Sequence, residues 1–147
     1  MASGLTANKL QSEIKITQYD FDPNTTDSTA VGWVDMRDFS KFLVGFFRTV
    51  GTSNITLLIK AATSAAGANA QTIVTKTISA QPNAVGDYVF LECLAEQIAQ
   101  VAATSGYALR YVSAYISFAT NTDEGVVTYV QGGPRFAYDG LTADYVS

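Results

Sequence analysis

The sequence predicts an all-β protein, an antiparallel β-sandwich of jelly-roll-like kind with seven to eight strands and one short helix. Three observations carry this prediction. Stretches of strand periodicity recur along the chain, each closed by Gly, Pro, Asn or Asp. Thr, Val and Tyr, which suit a pleated, half-buried surface, fill much of the space left by charged residues. Those residues make up only 15% of the chain, against about 25% in an ordinary globular domain. Finally, only one stretch has a helical repeat. At 147 residues the chain reads as a single domain. It is large enough to bury roughly 68–70% of its unfolded surface without disulfides or metal.

Residues 1–11 are small, polar and aperiodic and read as a flexible arm. The sandwich is expected over 12–137, with a tail over 138–147. "EIKITQYDF" alternates and opens the first strand; "DPNTTDST" is turn chemistry. "AVGWVDM" reads as a second short strand and "RDFS" as a break. "KFLVGFFRTV" is apolar on both faces and so is a central strand. Within it, Gly45 marks a bulge or a close approach. "GTSN" predicts a hairpin into "ITLLIKAAT", with Ile55, Leu57 and Ile59 on one face. After the small-residue loop "SAAGANAQ" come the strands "TIVTKTISA" and "YVFLECL", separated by "QPNAVGD". Leu94, Ile98 and Val101 recur at helical spacing and Gly106 supplies a stop, so a helix is expected near 94–103, across one end of the sandwich. "YALRYVSAYISFAT" is a long strand with Arg110, Val112, Ala114, Ile116 and Phe118 toward the core. "NTDEG" predicts a hairpin into the last strand, "VVTYVQG".

The chain contains no His, which removes Ser-His-Asp and Cys-His catalysis and zinc sites built on His and Cys. Cys93 stands alone in an apolar stretch and reads as a buried, inert thiol. No glycine-rich phosphate loop has the required spacing. The carboxylates fall in groups such as Asp20/Asp22/Asp27, Asp35/Asp38 and Asp123/Glu124, and no pair stands out as the acid and base of a glycosidase. "DFDPNTTD" lacks the spacing of a calcium loop and reads as an Asx-type turn. The chain is therefore not expected to be an enzyme. No catalytic, cofactor-binding or metal-binding residue is assigned, and no cofactor.

With a formal net charge of −4 and single, scattered basic residues, nucleic-acid binding is not expected. No apolar run approaches the length of a membrane span, and the first residues do not resemble a secretion signal. The protein is expected to be soluble and made in a cytoplasm. Two clusters remain. Asp35, Arg37, Asp38 and Lys41 should sit at a sheet corner, paired with one another or with a neighbouring subunit. Tyr107, Tyr111 and Tyr115 lie close together and are compatible with a sheet face covered by the helix, a subunit interface or a glycan platform.

The order of features from 31 to 137 resembles that of small tailed-bacteriophage virion proteins encoded near the major capsid gene. "VGWVDMRDFSKFLVGFF" is similar to their opening strand after a short charged turn. "NITLLIKAATSAAGANAQTI" resembles their next strand and Ala/Gly-rich loop. "YVFLECLAEQIA" resembles their strand followed by a short acidic helix. "GYALRYVSAYISFAT" is similar to their Tyr/Arg-containing strand, and "PRFAYDG" to their closing motif. The end of the chain is longer than that pattern, and the arm has no counterpart in it.

The resemblance implies a structural virion protein: a capsid decoration, or cement, protein on the outer surface of a phage head, made in the host bacterial cytoplasm. Its partners would be the major capsid protein and further copies of itself, a trimer being favoured. Three regions are then candidate interfaces: Leu5 and Leu10 in the arm; Asp35, Arg37, Asp38 and Lys41 at the corner; and Arg135, Phe136, Tyr138, Leu141 and Tyr145 in the tail. Two other classes are compatible with the sequence: a tail-tube or head–tail joining protein, and a β-sandwich carbohydrate-binding module.

Overall fold

The computed structural model describes residues 14–22, 27–78 and 84–134. Along them run β1 (Ile14–Phe21), β2 (Thr29–Ala30), β3 (Val34–Asp35), β4 (Phe39–Val50), β5 (Ile55–Ala62), β6 (Gln71–Ile78), β7 (Tyr88–Leu94), α1 (Ala95–Ser105), β8 (Tyr111–Phe118) and β9 (Glu124–Pro134). They form two antiparallel sheets. The first has the order β1-β9-β4-β7. The second has the order β2-β8-β5-β6, with β3 also pairing β8. Apart from the pairs β2/β3 and β5/β6, each of which stays within the second sheet, successive strands alternate between the sheets, as in a jelly roll. The expected all-β sandwich is what the chain adopts. The helix lies where its period places it, with Ile98 as its buried residue. A glutamine and a glycine delimit α1: the Leu94 N–H donates to Oε1 of Gln97 at 2.8 Å, and Gly106 closes the other end with φ 75°.

The core is made where the inward rows of the two sheets meet. Phe42, Val44 and Phe46 of β4 face Ile55, Leu57 and Ile59 of β5 and Val112, Ala114 and Ile116 of β8, all fully or almost fully buried. Aromatic rings fill the two ends. Phe42 and Tyr19 both meet Tyr129 edge-on, at 4.8 and 5.1 Å between centroids. Phe46 and Phe21 flank Phe118. Cys93 is buried, and burial pushes its thiol up to about 12, so it is a packing group and not a nucleophile.

Three sequence expectations change. "AVGWVDM" is not one strand: β2 and β3 are separate pieces on the same edge of β8. The hydroxyl of Tyr129, reaching from the other sheet, accepts the Ala114 N–H at 2.7 Å opposite the gap between them. Burial raises the pKa of that hydroxyl and keeps it protonated. Arg110 does not enter the core; it lies just before β8 and reaches back to β3. The third change concerns "GTSN" and "NTDEG", which are not hairpins. Each carries the chain from one sheet to the other, from β4 to β5 and from β8 to β9.

One buried ion pair joins those two corners. Arg48, near the end of β4, is 0% exposed, and Asp123, just before β9, is 2% exposed. Nη1 of Arg48 donates to Oδ2 of Asp123 at 2.6 Å, while Nη2 donates to the Ser53 carbonyl at 2.5 Å. Asp123 also accepts the Ser53 N–H at 3.0 Å, the Ser53 hydroxyl and the Thr120 hydroxyl at 2.9 Å. Gly51 has φ 90°, and a Cβ there would overlap the Asp123 carboxylate, so the corner needs glycine on both counts.

Removing one partner leaves the other charged and dry. Asp123→Ala should therefore destabilise the fold by about 3–5 kcal/mol, read from urea unfolding. Burial alone would raise the Asp123 carboxyl, but hydrogen bonds from Ser53, Thr120 and Arg48 outweigh it and lower the pKa. The stabilisation is then present above the unfolded value of about 3.9 and is lost as pH falls through the folded one. Wild type should lose stability in that acid range more steeply than Asp123→Asn.

Candidate interaction surface

The two outer faces of the sandwich differ. On the first sheet the outward rows are read from the register: Ile16–Val130–Leu43–Glu92, Gln18–Thr128–Gly45–Phe90 and Asp20–Val126–Phe47–Tyr88. Period-two alternation sends the partner rows into the core, so these side chains are left outside. Ile16 is 62% exposed, Phe47 45%, Tyr88 66% and Phe90 55%. Tyr88 and Phe90 meet edge-on at 5.5 Å. The Phe90 ring lies over Gly45, where an added Cβ would come within 2.9 Å of it. Beside the rings runs an open apolar trough of about 340 Å³, lined by Gly45, Phe47, Tyr88, Phe90, Val126 and Thr128 among others. The sequence reads "KFLVGFFRTV" as a central strand apolar on both faces and "YVFLECL" as a strand with Cys93 buried in it; each is core on one face only. Phe47, Phe90 and Tyr88 were missed as surface residues because an aromatic on a central strand reads as core unless the second face is known to be uncovered.

The outer face of the second sheet is more polar: Thr56 on β5 lies opposite Ser117 on β8, and Lys60 lies opposite Ser113, which is buried beneath Gly32. Here the expected tyrosine cluster divides. Tyr115 is not under the helix, which packs against β4, β6 and β7. It meets Trp33 edge-on at 5.9 Å, and the Lys60 ammonium sits 4.3 Å from its centroid. Arg110 covers Tyr111 in the same way at 5.1 Å. Tyr107 lies outside the strand and is exposed. Two of the three rings are thus engaged by their own chain.

The charged corner is built around a residue the sequence placed elsewhere. Asp35 receives Nε of Arg110 on Oδ1 at 2.8 Å and Nη2 of Arg110 on Oδ2. It also accepts the Arg37 N–H at 2.9 Å. The Arg37 guanidinium is a looser neighbour at 3.9 Å. The Arg110 hydrogen bond, with help from Arg37, holds the Asp35 carboxyl below its ordinary value against the effect of burial. Asp38 adds negative charge near Arg110. Lys41 is separated from this group: it stands on β4 between Gly132 and Leu94, in the first sheet. Leu5, Leu10, Arg135, Phe136, Tyr138, Leu141 and Tyr145 lie outside the described residues, as does much of "DFDPNTTD". Among the described residues, no group of three or more Cys, Asp or Glu is placed to hold a metal, and no helix is long and apolar enough to cross a membrane.

No protein-family model matches the chain, and no curated protein matches it. Solved structures of similar shape include a subunit of the disulfide-linked pili of Bacillus endospore appendages, at 10% identity over 81% of this chain and 86% of that one, TM-score 0.45. Another is the SPBc2 prophage-derived protein YomS, at 12% identity over 81% and 95%, TM-score 0.43. A third is the VP2 subviral particle of infectious bursal disease virus, at 9% identity over 82% and 33%, TM-score 0.41.

The corner bridge lies at the surface, where ion pairs order local structure more than they stabilise the whole. Asp35→Asn should speed amide hydrogen exchange at Arg37 markedly and leave the thermal midpoint almost unchanged. A large fall in the midpoint would assign the corner a global role instead.

Proposed function

We propose that this chain is a structural virion protein, a decoration or cement protein that binds the outer surface of a bacteriophage head and acts as a homo-oligomer. The observation that carries this reading is the contiguous apolar outer face of the first sheet. Exposed aromatic side chains on a flat, strand-built surface suit a macromolecular interface. The order of motifs from "VGWVDMRDFSKFLVGFF" to "PRFAYDG" supports it independently. The mechanism in this reading is mechanical. A sandwich whose corners are locked by a buried ion pair transmits load without changing shape. Many copies, each with modest contacts to capsid protein, resist expansion of the shell by multivalency. The carbohydrate-binding reading draws less support, because Tyr115 and Tyr111 are engaged by Trp33, Lys60 and Arg110.

The test is co-sedimentation of the purified chain with empty capsids of its own virus. The expected result is saturable binding at a copy number that matches a symmetry position. Deleting 138–147 should weaken that binding and leave cooperative unfolding intact. A chain that ignores shells and binds glycan as an isolated domain would overturn the reading in favour of a binding module. Assembly into tubes would move it to the tail.

A further inference from the structure

We infer that the apolar face of the first sheet is the self-association surface of the protein and that a second copy of this chain occupies it across a two-fold axis. The inference deepens the proposed homo-oligomer and rests on that reading only for its biological setting.

Shape is the first argument. Ile16, on β1, stands out as an apolar knob at one edge of the face. The trough beside Phe47 and Phe90 spans β9, β4 and β7, and no residue of β1 lines it. Knob and trough share a face but not a position. A two-fold axis lying in the plane of that face, over β9 and β4, exchanges them. Each copy then inserts Ile16 into the trough of the other, which is the reciprocal pattern of an isologous interface. Because knob and trough point in the same direction, head-to-tail stacking would not bring them together.

Area and charge agree. Three aromatic rings about half exposed, together with Ile16 and Leu94, amount to about 500 Å² on each copy. A pair then buries about 1,000 Å², the level a specific interface must clear. The outward rows from Ile14–Gly132–Lys41–Leu94 to Asp20–Val126–Phe47–Tyr88 carry Asp20, Glu92 and Lys41 as their charges. That leaves one net negative charge, in a chain of formal charge −4. Two copies therefore meet here against little repulsion, and Coulombic cost is smallest where the apolar gain is largest.

The experiment is light scattering on the full chain over a range of concentrations, with and without two surface variants. Wild type should run at twice the mass of the chain. Ile16→Lys and Phe90→Glu should each weaken the pair at least about a hundredfold, since each buries an unmatched charge. Their 1:1 mixture should restore the double mass, because one contact becomes Ile16 in an unaltered trough and the other sets the new lysine against the new glutamate. Should either variant fail to unfold cooperatively, Ile16→Cys/Phe47→Cys replaces it. Those two positions are too far apart within one chain to bridge, so a disulfide-linked dimer on oxidation is expected.

A wild-type monomer, a trimer, variants that keep the wild-type mass, or a mixture that stays monomeric would each overturn the two-fold pair. So would a chain lacking 135–147 that gains an association the full chain lacks, since its own tail would then be the occupant. Shell co-sedimentation of the same samples separates the two proposals. A dimer that ignores shells sinks the decoration reading alone, and a monomer that binds shells through Phe90 sinks the two-fold pair alone.

Discussion

The buried pair of Arg48 and Asp123 is the constraint on which the rest of the sandwich depends. A jelly roll must carry its chain repeatedly from one sheet to the other, and each crossing exposes backbone groups that no ladder can satisfy. Here two crossings lie side by side and share one polar centre. Arg48 takes the Ser53 carbonyl of one corner while holding the carboxylate of the other. Asp123 in turn takes the Ser53 amide and hydroxyl and the Thr120 hydroxyl. Taking two charges out of water costs several kcal/mol per ion. That cost is offset because both ions are also hydrogen-bonded by the corners they organise. An apolar replacement could fill the same volume. It would satisfy none of the corner groups that the pair holds, the Ser53 amide, carbonyl and hydroxyl and the Thr120 hydroxyl.

From this lock follows the position of the strands that carry the candidate interaction surface. Arg48 lies two residues before the end of β4, and Asp123 precedes β9, the strand paired with β4 over most of its length. With these two strands fixed in register, Phe42, Val44 and Phe46 point inward and Leu43, Gly45 and Phe47 outward. Tyr129 adds a second tie. Its ring packs between Phe42 and Tyr19, and its hydroxyl reaches the opposite sheet where β2 gives way to β3. The apolar outer face thus rests on a sheet pinned at one end by an ion pair and at its middle by a hydroxyl.

The two outer faces assign different work to the two sheets. The first offers rings and aliphatic groups around the Gly45 trough. The second offers Ser, Thr and Lys, with its aromatic residues already engaged by Trp33, Lys60 and Arg110. The charged corner belongs to neither face. Its Asp35–Arg110 bridge closes β3 onto the start of β8, so charges that read as a possible seam between subunits serve first to order their own turn.

The sequence by itself determined the class of fold, the place of nearly every strand and the position of the helix, because those follow from local period and turn chemistry. Ile55, Leu57 and Ile59 alternate, Leu94, Ile98 and Val101 repeat at helical spacing, and Gly, Asn and Asp punctuate the chain. Composition alone also removed whole classes of chemistry, since a chain without His cannot build the commonest hydrolytic or zinc sites. Only the tertiary structure decided which strands are neighbours. "GTSN" and "NTDEG" have the composition of hairpin turns and are corners, and the difference lies in Arg48, whose partner is 75 residues away in sequence. The same holds for the surface. Alternation says that Phe42 and Phe47 point to opposite sides of β4, but not which side another sheet will cover. That depends on long-range packing, which places β5 and β8 against Phe42, Val44 and Phe46 and leaves Phe47, Tyr88 and Phe90 facing outward.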